Sequence, residues 1–286
     1  MCRFLAYKGK RTLLADILTR PYHSLIKQSY RAKMREEPLN GDGFGVGWYD
    51  PELDEFPGLF TSLVPAWSNR NLHRIAEKLS SPCVFAHIRA ATPGLLVEDV
   101  NCHPFQHKKL LWMHNGFINE FIKIKRTLRA SLKDEFYHMI EGTTDSEHAF
   151  AVFLNFLPEG KADYSLAEMK EAMLKTIKQI NDWTEEVGVT GRSNYNFAVT
   201  DGYRMVVTRY ATHTDKIPES LYYTKGSHFK CAEGVCHMVD SKTDDGAVII
   251  SSEPLTEEVD EWTVIEPNTL VTIDESNKME FTPITD

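Results

Sequence analysis

The chain has 286 residues, and its 32 Lys and Arg residues against 41 Asp and Glu residues give a formal net charge of −9. An acidic chain lacks the positive surface that nucleic acid or an anionic membrane attracts, so we expect neither as a partner. No apolar run reaches the roughly 18 residues of a membrane span, and residues 1–11 lack the apolar segment of a secretion signal. These properties favour a globular protein.

Five cysteines lie far apart in the sequence. An odd number of scattered cysteines without a secretion signal is more typical of a reducing compartment than of a disulfide framework. We therefore expect a cytoplasmic location.

Short runs rich in β-branched and aromatic residues, bounded by Gly, Pro, Asn or Asp, predict strands. In chain order these are residues 2–7, 44–49, 58–64, 83–89, 110–114, 196–200, 205–209, 221–224, 248–251, 262–265, 270–273 and 279–282. Segments 71–79, 146–157 and 166–186 are predicted to be helices, and apolar residues recur at helical spacing in the two longer ones. Thr144 and Glu147 have the spacing of a capping box at the start of the second helix.

The strands and helices fall in separate blocks rather than in regular βαβ alternation. This order favours an α+β fold of packed layers over a doubly wound sheet. No linker interrupts the chain, so we expect residues 1–286 to form a single domain.

Cys2 is the first candidate for chemistry. A small residue after Met1 allows the initiator methionine to be removed, which would leave a thiol and a free α-amine on one residue. The thiolate is the nucleophilic form of cysteine, and an α-amine has an unperturbed pKa of about 7.7–8. Such an amine can act as the general base for its own thiol. The alternative is a small buried residue that opens a strand.

A glycine-rich run occupies residues 40–47. It does not fit the spacing of a dinucleotide-binding fingerprint and lacks the Gly-Lys-Ser/Thr ending of a P-loop. The run predicts either a turn that leads into a strand whose backbone is approached closely, or a plain glycine-rich hairpin.

Three further motifs carry groups that could bind a small polar substrate. Arg89 ends a predicted strand, where a guanidinium can clamp a carboxylate with two hydrogen bonds. The Asn115 amide beside the Gly116 N–H offers two donors, as in an oxyanion hole. Asp145 falls in the first turn of a predicted helix, where a carboxylate is stabilised and could bind an ammonium group. The alternatives are a surface ion pair, a plain turn and a helix cap.

We expect no metal and no cofactor. Cys231 and Cys236 form one cysteine pair without a second pair at zinc-binding spacing. No Gly-x-Ser-x-Gly elbow of a serine hydrolase is present.

Taken together, the motifs resemble the class II glutamine amidotransferases, the group of N-terminal-nucleophile (Ntn) enzymes with a cysteine nucleophile. The resemblance rests on residues 1–4, 41–45, 87–89, 114–116 and 144–147, and it extends to residues 101–105 and 252–255. It is strongest to the stand-alone branch, which includes the fungal glutathione-degrading amidotransferase subunit and the ergothioneine-pathway γ-glutamyl hydrolase.

The resemblance implies a four-layer αββα sandwich of two antiparallel sheets flanked by helices. It also implies catalytic roles for three residues: Cys2 as the nucleophile, with its α-amine as the base, and the Asn115 side chain and Gly116 N–H as the oxyanion donors.

The same resemblance assigns substrate binding to three further residues. Arg89 would hold the α-carboxylate of the substrate and Asp145 its α-ammonium group. Thr92 would lie beside the carboxylate clamp.

The implied activity is hydrolysis of a γ-glutamyl amide bond, in glutamine or a glutathione-like compound, through a γ-glutamyl thioester that releases glutamate. No acceptor-substrate domain follows the matched region, so the chain could act alone or as a subunit of a partner enzyme. Ala90 stands where several synthase-fused members carry an aromatic residue. Two alternatives stay open: a catalytically silent subunit that binds a partner enzyme, and an Ntn amidase for bile salts or penicillins. The second would need an apolar acyl pocket instead of Arg89 and Asp145.

Overall fold

Two antiparallel sheets stack face to face in the computed structural model, which describes residues 2–34, 38–90, 97–213, 218–232, 234–240 and 246–285. In chain order the strands are β1 (Arg3–Leu13), β2 (Phe44–Tyr49), β3 (Pro57–Ser62), β4 (Ser80–Ile88), β5 (Phe105–His107), β6 (Leu110–Phe117), β7 (Asn194–Thr200), β8 (Met205–Arg209), β9 (Tyr222–Gly226), β10 (His228–Ala232), β11 (Val235–Val239), β12 (Ala247–Ser251), β13 (Thr263–Val264), β14 (Thr269–Ile273) and β15 (Met279–Pro283).

The first sheet has the strand order β13-β9-β12-β1-β4-β2-β3, and the second has the order β15-β14-β8-β7-β6-β5. Strands β10 and β11 form a separate hairpin. The helices are α1 (Leu14–Leu18), α2 (Leu25–Arg31), α3 (Arg70–Ala76), α4 (Phe121–Ser131), α5 (Asp134–Met139), α6 (Asp145–Phe156) and α7 (Leu166–Glu186).

Three apolar layers hold the sheets and helices together. Phe4 and Phe85 of the first sheet belong to the layer between the sheets, together with Met113 of the second. The outer face of the first sheet packs against α1, α2 and α3. The outer face of the second packs against α4, α6 and α7, where the Trp112 ring lies 4.8 Å from that of Phe197. The expected four-layer αββα architecture is confirmed.

The alternating pattern of strand β1 explains why it belongs to two layers. Phe4 and Ala6 face the other sheet, whereas Leu5 and Tyr7 face the helices. Successive side chains of a strand point to opposite faces, so an apolar residue at every position requires cover on both sides.

Most predicted elements are confirmed, and helix α7 has the predicted bounds. The short helices α1 and α2, helices α4 and α5, strand β5 and the β10–β11 hairpin were not predicted. Helix α4 was missed although its apolar residues Phe121, Ile124 and Leu128 recur at helical spacing, and no side chain caps its start.

The predicted capping box of helix α6 is only half right. The Thr144 hydroxyl accepts a hydrogen bond from the Glu147 N–H at 3.3 Å. The Glu147 carboxylate, however, accepts from the N–H groups of Glu141 and Gly142 at 2.9 and 2.8 Å. It folds back onto the preceding loop instead of the N-cap residue.

The β10–β11 hairpin carries a disulfide between Cys231 and Cys236, which are directly opposite in the register. This bond differs from the expectation that the cysteines are scattered and form no disulfide framework. The pairing could not be read from spacing, because it depends on the turn at Gly234 and on the strand register that follows.

Strand β2, which begins in the glycine-rich run, is approached closely by the backbone just before strand β5, as one of the two interpretations of the run predicted. A methyl group at Gly45 would overlap the carbonyl oxygen of His103, and one at Gly47 would press on Leu111. None of the helices in the described ranges has the length and apolar character needed to cross a membrane.

We expect Gly45→Ala to lower the free energy of unfolding by at least about 2 kcal/mol, because a backbone oxygen cannot rotate away from the added methyl. The control is Gly160→Ala. Residue 160 has open space around it and a φ of 70°. Alanine there should lower the free energy of unfolding only by the added backbone strain, about 1 kcal/mol. Urea denaturation of both variants measures the difference, and equal losses would contradict the steric argument.

Candidate active site

Strand register gathers three of the predicted motifs at one end of the first sheet. Arg3 and Phe44 both pair with Ile88 of strand β4. Cys2 and Gly43 directly precede Arg3 and Phe44, and Arg89 directly follows Ile88. The three residues therefore lie at the same end of the first sheet, which is called the sheet edge below. The Arg89 N–H donates to the Gly43 carbonyl at 2.8 Å, and the Asp42 N–H donates to the Arg89 carbonyl at 3.2 Å.

The Cys2 thiol is partly exposed at this edge. Its Sγ accepts a hydrogen bond from the Ala90 N–H at 3.3 Å and lies 3.6 Å from the Ala90 carbonyl oxygen. Cys2 and the residue after Arg89 are thus in direct contact. The Arg89 side chain is almost completely buried, and its Nη1 lies 3.5 Å from the Asp42 carbonyl oxygen.

Asn115 and Gly116 lie inside strand β6, which continues to Phe117 instead of ending at residue 114. The alternative of a plain turn at this Asn-Gly pair is therefore wrong. The two residues pair with Asn196 and Tyr195 of strand β7, and a side chain at position 116 would overlap the Asn194 carbonyl oxygen. Pairing with a neighbouring strand overrides the local turn preference here.

Ser252 links the second sheet to strand β1, which begins directly after Cys2. Ser252 Oγ accepts from the Phe4 N–H at 3.0 Å and from Asn115 Nδ2 at 3.4 Å. The Ser252 N–H also donates to the Phe4 carbonyl at 3.0 Å. Asn115 is therefore connected to a residue two positions after Cys2.

Asp145 is the first residue of helix α6 and is half-buried. Its carboxylate accepts from the Ile118 N–H at 2.7 Å and from the Ser146 hydroxyl at 3.3 Å. Ile118 follows strand β6 directly, so Asp145 is fixed two residues beyond Gly116. Thr92 lies outside the described residues.

Sequence reasoning gave no role to a cluster of three buried histidines next to these groups. His87 and His103 have ring centroids 4.1 Å apart, and His87 Nε2 lies 3.1 Å from the His114 carbonyl oxygen. Burial lowers the pKa of His87 to about 3 and that of His103 far below its usual value. Burial also lowers the pKa of His114, although the nearby Asp145 charge opposes the shift. All three imidazoles are therefore neutral at pH 7.

A buried carboxylate network adjoins Cys2 and was also missed. Glu253 is fully buried and accepts from Arg3 Nε at 2.8 Å and His23 Nε2 at 2.6 Å. The N–H groups of Lys33 and Met34 donate to the same carboxylate at 2.8 and 3.1 Å. Burial alone would raise the pKa of Glu253, but these bonds and the Arg3 charge lower it to about 2.

No cluster of His, Cys, Asp and Glu suited to a metal ion occurs within the part of the chain that the structure describes. Among the predicted site residues, Cys2 contacts the residue after Arg89, Asn115 is connected to strand β1 through Ser252, and Asp145 is bound to Ile118 just after strand β6.

The histidine cluster makes stability depend on pH. The unfolded chain takes up protons as the pH falls through about 6.5, whereas the folded cluster stays neutral because its pKa values are lowered. Its stabilising contribution is therefore complete above pH 6.5 and is lost toward pH 3. His87→Asn should flatten the fall in unfolding free energy between pH 7 and 5.

Denaturant unfolding at pH 7, 6 and 5 measures that slope. The exposed His73→Asn serves as the control, since it removes an imidazole outside the cluster. A His87→Asn slope equal to that of the wild type would show that His87 takes up its proton in the folded state.

With this geometry established, comparison with known proteins identifies the family. The family model for class-II glutamine amidotransferases matches residues 12–283, so the chain belongs to this family. It is an enzyme of that class, as the sequence resemblance implied.

Two relatives narrow the comparison. The chain is 44% identical over 292 residues to the probable glutamine amidotransferase DUG3 of Saccharomyces cerevisiae. That match covers 96% of this chain and 82% of the relative. It is 32% identical over 123 residues to the gamma-glutamyl-hercynylcysteine sulfoxide hydrolase of Mycobacterium tuberculosis. That match covers 43% of this chain and 52% of the relative.

Solved structures share the fold. A glutamine aminotransferase class-II domain protein from Silicibacter pomeroyi superposes with a TM-score of 0.68 at 24% identity, over the full length of both chains. The glutamine phosphoribosylpyrophosphate amidotransferase of B. subtilis gives 0.61 at 13% identity, covering 99% of this chain and 49% of that one. At these identities the likeness shows the fold alone.

Proposed function

We propose that this enzyme hydrolyses γ-glutamyl amide bonds, with Cys2 as the nucleophile after removal of Met1. The observation that carries the proposal is the contact between the Cys2 thiol and the residue next to Arg89. It places the thiol beside the residue that follows Arg89, whose side chain is buried. The Asn115 amide is connected to strand β1 through Ser252.

The proposed substrate group is a zwitterion, which explains the two opposite charges at the site. A γ-glutamyl group has an α-carboxylate and an α-ammonium at one end and the scissile carbonyl at the other. Arg89 would bind the carboxylate, since a guanidinium matches its two oxygens. Asp145 would bind the ammonium, and its carboxylate is already oriented by Ile118 and Ser146.

The proposed reaction begins when the α-amine of Cys2 takes the thiol proton and the sulfur attacks the γ-carbonyl carbon. The Asn115 amide and the Gly116 N–H would stabilise the resulting oxyanion. Collapse breaks the C–N bond, and the departing amine receives the proton held by the α-ammonium. Water then hydrolyses the γ-glutamyl thioester with the α-amine again acting as base, which releases glutamate and restores the thiol.

The relatives support γ-glutamyl chemistry but leave two leaving groups to be tested. The name of the yeast relative indicates a glutamine amidotransferase, and that of the mycobacterial relative indicates a hydrolase of a larger γ-glutamyl compound. We propose glutamine or a glutathione-like compound as the substrate. A partner enzyme subunit, a cytoplasmic location and a single domain over residues 1–286 stay predictions.

We expect the wild type to release glutamate from at least one of glutamine, glutathione and a γ-glutamyl anilide, and Cys2→Ala to release none. An enzymatic glutamate assay measures both, with intact mass as the control for loss of Met1. Absence of release by processed wild type, alone and with candidate partner chains, would favour a catalytically silent subunit.

Substitutions of the two charged residues and of Asn115 should change different kinetic constants. Arg89→Gln and Asp145→Asn should mainly raise KM, because they remove contacts made with the bound zwitterion. Asn115→Ala should instead lower kcat by roughly 10²–10³, since its donor acts on charge that develops in the transition state. Steady-state kinetics on the preferred substrate measure both, and an unchanged kcat in Asn115→Ala would remove the oxyanion role.

A further inference from the structure

We propose that Ser252 and Glu253 form a positioning pair that fixes the oxyanion donor relative to the nucleophile. The inference rests on the proposed function and assigns two residues that touch neither substrate nor reacting atoms. Both are fully buried and directly follow strand β12, which pairs with strand β1.

The Ser252 side chain reaches the oxyanion donor. Its Oγ accepts from Asn115 Nδ2 at 3.4 Å and from the Phe4 N–H at 3.0 Å. The Asn115 Nδ2 carries two protons. Using one of them on Ser252 fixes the plane of the amide and therefore the direction of the other proton.

The Glu253 side chain reaches the nucleophile through an arginine. Glu253 accepts from Arg3 Nε at 2.8 Å, and Arg3 Nη1 donates to the Cys2 carbonyl oxygen at 2.9 Å. The guanidinium is fully buried and also lies within 4.0 Å of Glu219. Cys2 is thus held by its carbonyl group, which leaves the thiol and the α-amine for chemistry.

The backbone of this dipeptide is itself fixed. The Ser252 N–H donates to the Phe4 carbonyl at 3.0 Å, and its carbonyl accepts from the Ser220 hydroxyl at 2.8 Å. Gln28 Nε2 lies 3.4 Å from the Glu253 carbonyl oxygen. Two adjacent side chains on a fixed backbone are therefore connected to the Asn115 amide and to Cys2. A change of about 1 Å in the distance between an oxyanion donor and a nucleophile can lower the rate about 10²-fold.

The variant Ser252→Ala tests the first connection, because it frees the Asn115 amide to rotate. We expect kcat to fall roughly 10-fold with little change in KM, since the affected donor acts in the transition state. Ser251→Ala is the matched control. Its hydroxyl is equally buried on the neighbouring residue and has no hydrogen-bond partner among the described residues, so kcat should be unchanged.

A double-mutant cycle separates positioning from a general structural effect. In an Asn115→Ala background the serine has no amide to orient, so adding Ser252→Ala should cost nothing further in kcat. Equal losses in both backgrounds would show that Ser252 acts on the fold, and an unchanged kcat in Ser252→Ala would also overturn the proposal. If Ser252→Ala does not fold, Ser252→Cys provides the same cycle with a weaker acceptor.

The variant Glu253→Gln tests the second connection through the reactivity of Cys2. Losing the Arg3 ion pair should change the rate of Cys2 alkylation by iodoacetamide at least several-fold, whereas Ser252→Ala should leave that rate unchanged. Equal alkylation rates in Glu253→Gln and wild type would overturn this connection. Failure of wild type to release glutamate would overturn the proposed function and the positioning role with it, whereas an active wild type with an unaffected Ser252→Ala would overturn only the positioning role.

Discussion

The structure depends on the pairing of strand β1 with a neighbour on each side. β4 bonds to one edge of β1 and β12 to the other, so a slip of one residue would break both ladders. It would also exchange Phe4, which faces the second sheet, with Leu5, which faces the helices. The same register sets the positions of the residues that flank these strands at the site. Cys2 precedes the first paired residue of β1, Arg89 follows the last residue of β4, and Ser252 follows the last residue of β12.

Buried charge is the second constraint at that edge. Removing Arg3 and Glu253 from water is costly, and such a pair is stable only when its remaining donors and acceptors are also used. Arg3 reaches the carbonyl groups of Cys2 and Met34, while Glu253 also accepts from His23 and the Lys33 N–H. The charges are therefore compensated within one closed network that includes the nucleophile's own backbone. Loss of Arg3 would leave the Glu253 carboxylate buried without its arginine partner.

The sequence predicted the elements whose signal is local. Helix α7 repeats its apolar residues at helical spacing, and most strands are bounded by turn-forming residues, so both appear in a single pass along the chain. Asn115 and Gly116 show the limit of this reasoning. Their local chemistry favours a turn, and pairing with the distant strand β7 keeps them in a strand.

The site could be predicted only in part, for the same reason. Cys2, Arg89, Asn115 and Asp145 were found because each lies in a short motif whose chemistry is readable. Arg3 and Glu253 are 250 residues apart, and no local pattern links them. The cluster of His87, His103 and His114 is likewise formed by packing between the sheets and not by spacing in the sequence.

The contact between Gly45 and the His103 carbonyl has a consequence for how the molecule can vary. Here the backbone of strand β2 lies against the backbone of the segment that leads into strand β5, so a side chain at position 45 has no room. Elsewhere the gap between the sheets is filled by side chains such as Val207, Val248 and Val271. Exchanges among aliphatic residues of similar volume should be tolerated there, whereas any side chain at position 45 should not. Sequence variation between the sheets should therefore be confined to the part filled by side chains. The close contact at Gly45 lies two residues from Gly43, at the strand ends that also carry Cys2 and Arg89.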